Sequence, residues 1–420
     1  MSFQQGLSGL NASSKNLEVI GNNIANANTF GSKVARAEFS DVYAAAIGVS
    51  NKLTVGIGTT LSAVAQQFTQ GSITTTANPL DLAINGNGFF QLSDVNNQTT
   101  YSRNGQFKIN RDGYIVNNNQ SRLIGYPADA LGVIQSGQAK NLQLTTGGIS
   151  PAPSSKNGIE MNLDSRQAVT LPAAGPQVDF NDAKTYNNAT SVTSYDDKGQ
   201  EIAMTYYFQK SATDTWNVYA TANGNSVAGD NVNPLPITTV NFASDGSAPL
   251  TPVGDVLIDI PATTSAAGVE TMPILQLKFN VDGATQFGSP FGVTDIQQDG
   301  FSAGLLTDIA IEGNGTVMAR YSNGKTRPVG QVELATFRNP QGLQPIGNNA
   351  WILTAASGTP VAGVPGNGFL GALQSGALEE SNIDLTGELV GMITAQRIYQ
   401  ANAQTIKAQD QILQTLVNLR

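Results

Sequence analysis

The sequence predicts mainly β middle domains with α-helical coiled-coil termini, arranged as discontinuous nested domains formed by the N- and C-terminal halves. Three observations predict this. All 18 prolines fall between Pro79 and Pro365, so long unbroken helices are permitted only outside that stretch. Both proline-free ends carry apolar residues spaced alternately three and four apart, the spacing of a heptad seam. The stretch between them alternates apolar and polar residues with a period of two and is punctuated by turn dipeptides.

At the start, Leu7, Leu10, Ser14, Leu17, Gly21 and Ile24 follow the 3-4 spacing. Asn and Gly are poor helix formers, so the helix is expected to fail near Asn26–Gly31. At the end, Leu389, Met392, Gln396, Tyr399, Ala403, Ile406, Asp410, Leu413 and Val417 continue the same alternation. Ser381 with Asp384 resembles a capping box, and the expected helix runs from about Ile383 to Leu419, ~55 Å long. Gln396 and Asp410 interrupt the seam and either set register or face water. Two readings stand for each stripe: a helix packed on the protein's own core, or a face kept for neighbouring copies of the chain. If the helices pair within one subunit they run antiparallel, since both lead back to the middle.

In the middle, Phe107–Arg111 and Tyr114–Asn117 flank Asp112-Gly113, a hairpin signal. Asn323-Gly324 marks another turn after Val317–Tyr321. Met204, Tyr206 and Phe208 alternate along one expected strand, and Trp216, Val218 and Ala220 along the next. Segments 104–117 and 304–320 share a loose pattern suggesting corresponding hairpins. Composition shifts divide the chain into a terminal helical unit (1–30 with 380–420) and linker segments (31–71 with 366–379). An inner β-domain (72–148 with 292–365) then carries an inserted outer β-domain (149–291).

Composition excludes much chemistry. The 420 residues include no His and no Cys. There is thus no imidazole base or ligand and no thiol nucleophile, thiolate metal site or disulfide. Charged residues are 13% of the chain, against roughly 25% in ordinary domains. The net charge of −9 argues against a nucleic-acid partner, which calls for a basic face. The acidic excess sits in the middle, and the nearly neutral ends suggest surfaces meant to be covered. No apolar run approaches the ~18 residues of a membrane helix, and MSFQQGLSGL lacks the pattern of a secretory signal.

Gly86-Asn87-Gly88 lacks the Lys-Ser/Thr of a phosphate loop and reads as a tight turn. Asp196-Asp197-Lys198-Gly199 faintly resembles a calcium loop but lacks its alternation and terminal Glu; it reads as a hairpin turn. Asp179, Asp182, Asp196, Asp197, Glu201 and Asp214 could in principle pair for glycoside hydrolysis. All lie in polar, turn-rich sequence where carboxylates are solvated. The expectation is therefore no catalytic residue, no cofactor and no metal. An adhesive module using exposed aromatics such as Trp216 and Tyr207 is the competing reading of the middle.

Several segments then converge. GLSGLNASSKNLEVIGNNIANANTFGSK resembles the N-terminal signature of the bacterial flagellar rod/hook axial protein family. SNIDLTGELVGMITAQRIYQANAQTIKAQDQILQTLVNLR resembles its C-terminal signature and looks most like the hook members. PLDLAINGNGFFQL (79–92), YSRNGQFKINRDGYIVN (101–117) and YSNGKTRPVGQVELATF (321–337) are similar to the family's inner β-domain. The loop Thr29-Phe30-Gly31-Ser32-Lys33 departs from the family's usual Gly-Phe-Lys wording. The resemblance implies a flagellar homopolymer that meets the distal rod protein, the hook–filament junction protein, the hook cap and the export apparatus. It implies no membrane insertion, and an extracellular place in the flagellum reached without a cleaved signal peptide. It also implies an export-gate motif, matched by Phe39 and Tyr43. Leu7, Leu10, Leu17, Ile24, Leu389, Met392, Tyr399, Ile406, Leu413 and Val417 are the expected subunit-interface residues. The distal rod or junction proteins of the same family are the nearest alternative.

Overall fold

The computed structural model describes residues 2–42, 56–129, 132–144, 147–171, 178–265 and 268–418. The chain divides into two compact units: Met1–Thr146 with Asp308–Arg320 and Thr326–Arg420, and Gly147–Thr307 with Tyr321–Lys325.

In the first unit, helix α1 (Ser2–Asn26) and helix α2 (Leu385–Asn418) pair antiparallel. Gly6 lies against Ile406, Gly9 against Asn402, and Gly391 against Ile20, so missing side chains let the two backbones approach. Helix α1 stops at Asn26, before Gly31 in the left-handed region at φ +71°. The expected capping box is corrected. Asp384, not Ser381, caps α2, its carboxylate accepting the Thr386 N–H at 3.0 Å, while Ser381 Oγ accepts only from Ile383. Residues expected as linker carry a hairpin, Ala35–Val42 with Gly58–Gln66.

The inner sheet knits both halves of the chain. Phe89–Ser93 pairs with Thr99–Ser102 on one side and with Leu334–Thr336 and Arg122–Pro127 on the other. Leu82–Asn85 pairs with Ala372–Ser375, and Ile73–Thr75 with Ala377–Glu379. The core under these strands is aromatic. Phe68, Phe89, Tyr101, Phe337 and Trp351 meet edge to face with centroids 4.7–5.9 Å apart, the arrangement the ring quadrupole favours.

One five-residue turn recurs along the chain. Its first N–H bonds the fifth C=O, and its fourth N–H bonds the first C=O, at Asn110–Tyr114 and again at Glu312–Thr316. The fourth position takes φ > 0 and is Gly113 or Gly315. The same turn closes Asp94–Gln98, Asn117–Ser121, Asp196–Gln200 and Tyr321–Lys325. The likeness of 104–117 to 304–320 is therefore a shared local turn.

The second unit packs a six-stranded sheet, with Glu201–Ala212 and Thr215–Ala222 at its centre, on a four-stranded sheet that includes Lys156–Asn162 and Ile274–Asn280. Met204, Tyr206, Phe208, Trp216, Val218 and Ala220 all face the buried core, as their alternation predicts. Tyr206 stacks on Phe279 at 4.5 Å, and its hydroxyl accepts the Asn157 amide at 3.0 Å. Burial pushes the Tyr206 phenol up to about 12. Above pH ~10 the unfolded phenol loses its proton while the folded one keeps it, so the unfolded state binds fewer protons and stability falls. Chemical denaturation between pH 10 and 12 is expected to show a loss of about 3 kcal/mol that Tyr206→Phe lacks.

Candidate assembly surface

The heptad residues of α1 are not its buried ones. Gly6, Ser13, Ile20 and Asn23 are the buried positions of that helix, each one residue before the predicted seam. Leu7 is 45% exposed, and Leu10, Leu17 and Ile24 are half-buried. The seam was predicted from side-chain size, whereas small residues govern how closely two helices approach. The apolar row is thereby displaced to the flank of the pair.

On α2 the seam residue Ile406 meets Gly6 of α1, while most of the seam stays outside. Ala395 is its only buried residue among the side chains described, while Met392 and Ile406 are half-buried. Leu389, Tyr399 and Leu413 are exposed, joined by Leu385, Val390, Ile393, Ile398 and Ile412. The side chain of Val417 lies outside the described residues. Gln396 and Asp410 are both exposed, with Asp410 accepting from Gln414 at 2.9 Å. Helix α2 thus meets α1 through a narrow stripe that includes Gly391, Asn402 and Ile406 and leaves an apolar face uncovered. Phe39 stands exposed on Ala35–Val42 opposite Leu61, and Tyr43 lies outside the described residues.

The base of the helix pair is fixed by residues that sequence reasoning missed. Asn23 is buried; its amide donates to the Ala35 carbonyl (2.8 Å) and to Glu388 (3.0 Å), and its carbonyl accepts the Ala35 N–H (2.9 Å). Asn382 accepts from Val34 and donates to Gln67 and Thr69. Beneath them, Glu379 accepts from Lys33 Nζ at 2.6 Å, Arg103 Nη1 at 3.1 Å and the Gly71 N–H at 3.0 Å. All three charged side chains are buried. Burial pulls the Lys33 ammonium and the Arg103 guanidinium below their ordinary values, with Glu379 opposing the shift. This knot joins the loop after α1, the inner β-domain and the strand leading to α2. Its one sequence signal is charge in segments otherwise short of it.

The Asp196-Asp197-Lys198-Gly199 segment is the hairpin turn its sequence suggests. Asp196 accepts from the Lys198, Gln200 and Met272 N–H groups, so its oxygens close a turn. The adhesive reading of Trp216 is corrected: the indole is fully buried and donates to Gln286 at 2.9 Å. Tyr207 is half-buried against Phe180 and Tyr186.

Comparison with known proteins gives this architecture a family. Four family descriptions match in chain order: "Flagella basal body rod protein" over 3–33, "Flagellar hook protein FlgE/F/G D1 domain" over 83–175, "Flagellar basal body protein FlaE D2 domain" over 162–301, and "Flagellar basal body rod FlgEFG protein C-terminal" over 374–419. The chain is 39% identical to the flagellar hook protein FlgE of Escherichia coli (strain K12) and 40% identical to that of Salmonella typhimurium, covering 100% of both partners in each case. The chain belongs to the flagellar hook protein family. It is also 32% identical to the family's Borreliella burgdorferi member, over 100% of this chain and 99% of that one. Among solved structures, the Helicobacter pylori hook protein FlgE2 shares the fold, with a TM-score of 0.52 at 16% identity, covering 73% of this chain and 100% of that one. The hook family is a structural one, and its members' shared domains span both ends and the middle of this chain.

Proposed function

We propose that this chain is the structural subunit of a flagellar hook, polymerising helically into a short curved tube that passes torque from rod to filament while it bends. The observation that carries this reading is the uncovered apolar face of α2, together with the hook family's full-length match. Burying the exposed half of Leu389, Ile393 and Leu413 against neighbouring copies contributes about 1 kcal/mol each. The heptad spacing makes that cohesion directional. The β-structured units, richer in polar surface, then touch through contacts that exchange water at little cost, so subunits slide as the tube turns.

On the same reading the polymer meets the distal rod protein below, the junction protein above, the cap at its growing tip and the export apparatus inside the cell. Phe39 with Tyr43 serves as the export-gate motif. The Leu7, Leu10, Leu17 and Ile24 row together with the Leu389, Met392, Tyr399, Ile406, Leu413 and Val417 row forms the interface between subunits. Electron microscopy of the purified chain at high salt is expected to show curved tubes; straight rods would favour a distal rod role. Leu413→Asp is expected to abolish the tubes yet keep the unfolding free energy within about 0.5 kcal/mol of wild type, because the side chain is 51% exposed. Normal tubes from that variant would remove α2 from the interface.

A further inference from the structure

Phe369 is 90% exposed, more than any other large apolar side chain among the described residues. It is held out by a built loop. The Gly366 N–H donates to Gly371 O at 3.0 Å, the Leu370 N–H to Asn367 O at 3.2 Å, and the Gly371 N–H to Asn87 O at 2.7 Å. Gly366 (φ +76°) and Gly368 (φ +61°) supply left-handed turns that other residues adopt at a cost. Leu370 is tucked against Gly88 and Gly363, so the loop has already chosen which apolar residue it buries and which it presents. The stretch 361–371, VAGVPGNGFLG, carries no charge. A rigidly presented aromatic ring has only two side-chain torsions to lose on burial, which favours its use as an anchor.

The first unit also holds a matching hole. A groove of about 370 Å³ opens between α1, the Ala35–Val42/Gly58–Gln66 hairpin and the 341–345 loop. Val19, Ala35, Val64, Leu343 and Pro345 give it apolar walls, and Glu18 is its one charged lining residue. Val64 is half exposed there. Knob and hole share no residue, and Phe369 does not fill the groove of its own chain.

Resting on the hook-subunit reading, we propose that Phe369 of one copy seats in this groove of the next. The occupant follows from symmetry as well as chemistry. A contact joining two different patches of one chain is heterologous and propagates into an open helix, whereas a self-complementary stripe such as that on α2 can close on itself as a dimer. A helical tube needs at least one contact of the first kind, and this pair supplies it, with the Glu18 carboxylate of the groove already partnered by Lys15 at 2.8 Å. The contact gives the polymer its direction, and the α2 face gives it cohesion.

The absence of native Cys makes the test clean. The full chain carrying Phe369→Cys and Val64→Cys, polymerised at high salt and mildly oxidised, is expected to give a ladder of disulfide-linked oligomers, and neither single variant does. Phe369→Asp is expected to keep the urea midpoint of the wild type while cutting polymer yield about tenfold or more; Phe369→Leu keeps the polymer. Absence of the ladder together with normal polymers from Phe369→Asp overturns the proposal. A ladder from Val64→Cys paired with Ile393→Cys, but not with Phe369→Cys, also overturns it and gives the groove to the α2 face. Failure of the unaltered chain to polymerise counts against the hook-subunit reading itself, whereas failure confined to the cysteine pair counts against this contact alone.

Discussion

Glu379→Ala is expected to lower the unfolding free energy of the first unit by about 3–5 kcal/mol, the cost of leaving buried charge without its partner. The carboxylate is the common acceptor for Lys33 and Arg103, and it also holds the Gly71 N–H. Its loss leaves two buried cations and an orphaned amide where three distant stretches of chain meet. Lys33→Met is expected to cost less, because Glu379 keeps Arg103 and one opposite pair remains. The pH dependence identifies the cause. The Lys33 ammonium is already pulled below its ordinary 10.5 by burial, against the pull of Glu379. Without Glu379 the folded state binds that proton more weakly still. The unfolded state then carries more protons below pH 10.5, so the variant's stability rises as pH climbs towards that value. Urea denaturation at pH 7 and at pH 10 reads both effects. A deficit under about 1 kcal/mol at pH 7, or one that grows with pH, would sink the account.

The knot also marks the limit of what the sequence disclosed. Periodicity bounded α2 to within two residues, and α1 ends at Asn26, at the edge of the expected Asn26–Gly31 stretch, because a proline-free heptad has few other ways to fold. Turn dipeptides placed the hairpins at Gly113 and Gly324, because a left-handed position selects glycine. Periodicity did not say which face of each helix would be inside. Gly6 and Gly9 meet α2 by close approach, while the larger Leu7 stays exposed and Leu10 and Leu17 half-buried. Nor could a lysine at 33, an arginine at 103 and a glutamate at 379 be matched from one sequence, since their separations of 346 and 276 residues leave no local trace. Phe369 was invisible for the opposite reason. A single aromatic among glycines belongs to no repeating pattern, and only the fold shows that the loop presents it rather than buries it.

Trp216→Ala is expected to cost the second unit about 3–5 kcal/mol, the usual range for emptying a large aromatic site in a packed core. The indole is fully buried in one cluster with Phe242 and Val240, so its removal leaves a cavity in that core. Two further losses add to it. Gln286 loses the donor at 2.9 Å on its side-chain oxygen, and the buried Lys210 loses the ring face 5.8 Å from its ammonium. Lys210 keeps the Ser165 and Gln167 carbonyls, which holds the damage to the core rather than the surface. Trp216→Phe, which keeps much of the volume, is expected to lose less than half as much. Amide hydrogen exchange along Glu201–Ala212 and Thr215–Ala222 reads the result, since protection there reports the opening free energy of the central strands. An adhesive residue would behave in the opposite way, leaving exchange unchanged on substitution and abolishing glycan binding by 149–291. Unchanged protection in Trp216→Ala would sink the core role, whereas collapsed protection leaves the indole as the pin of the sandwich.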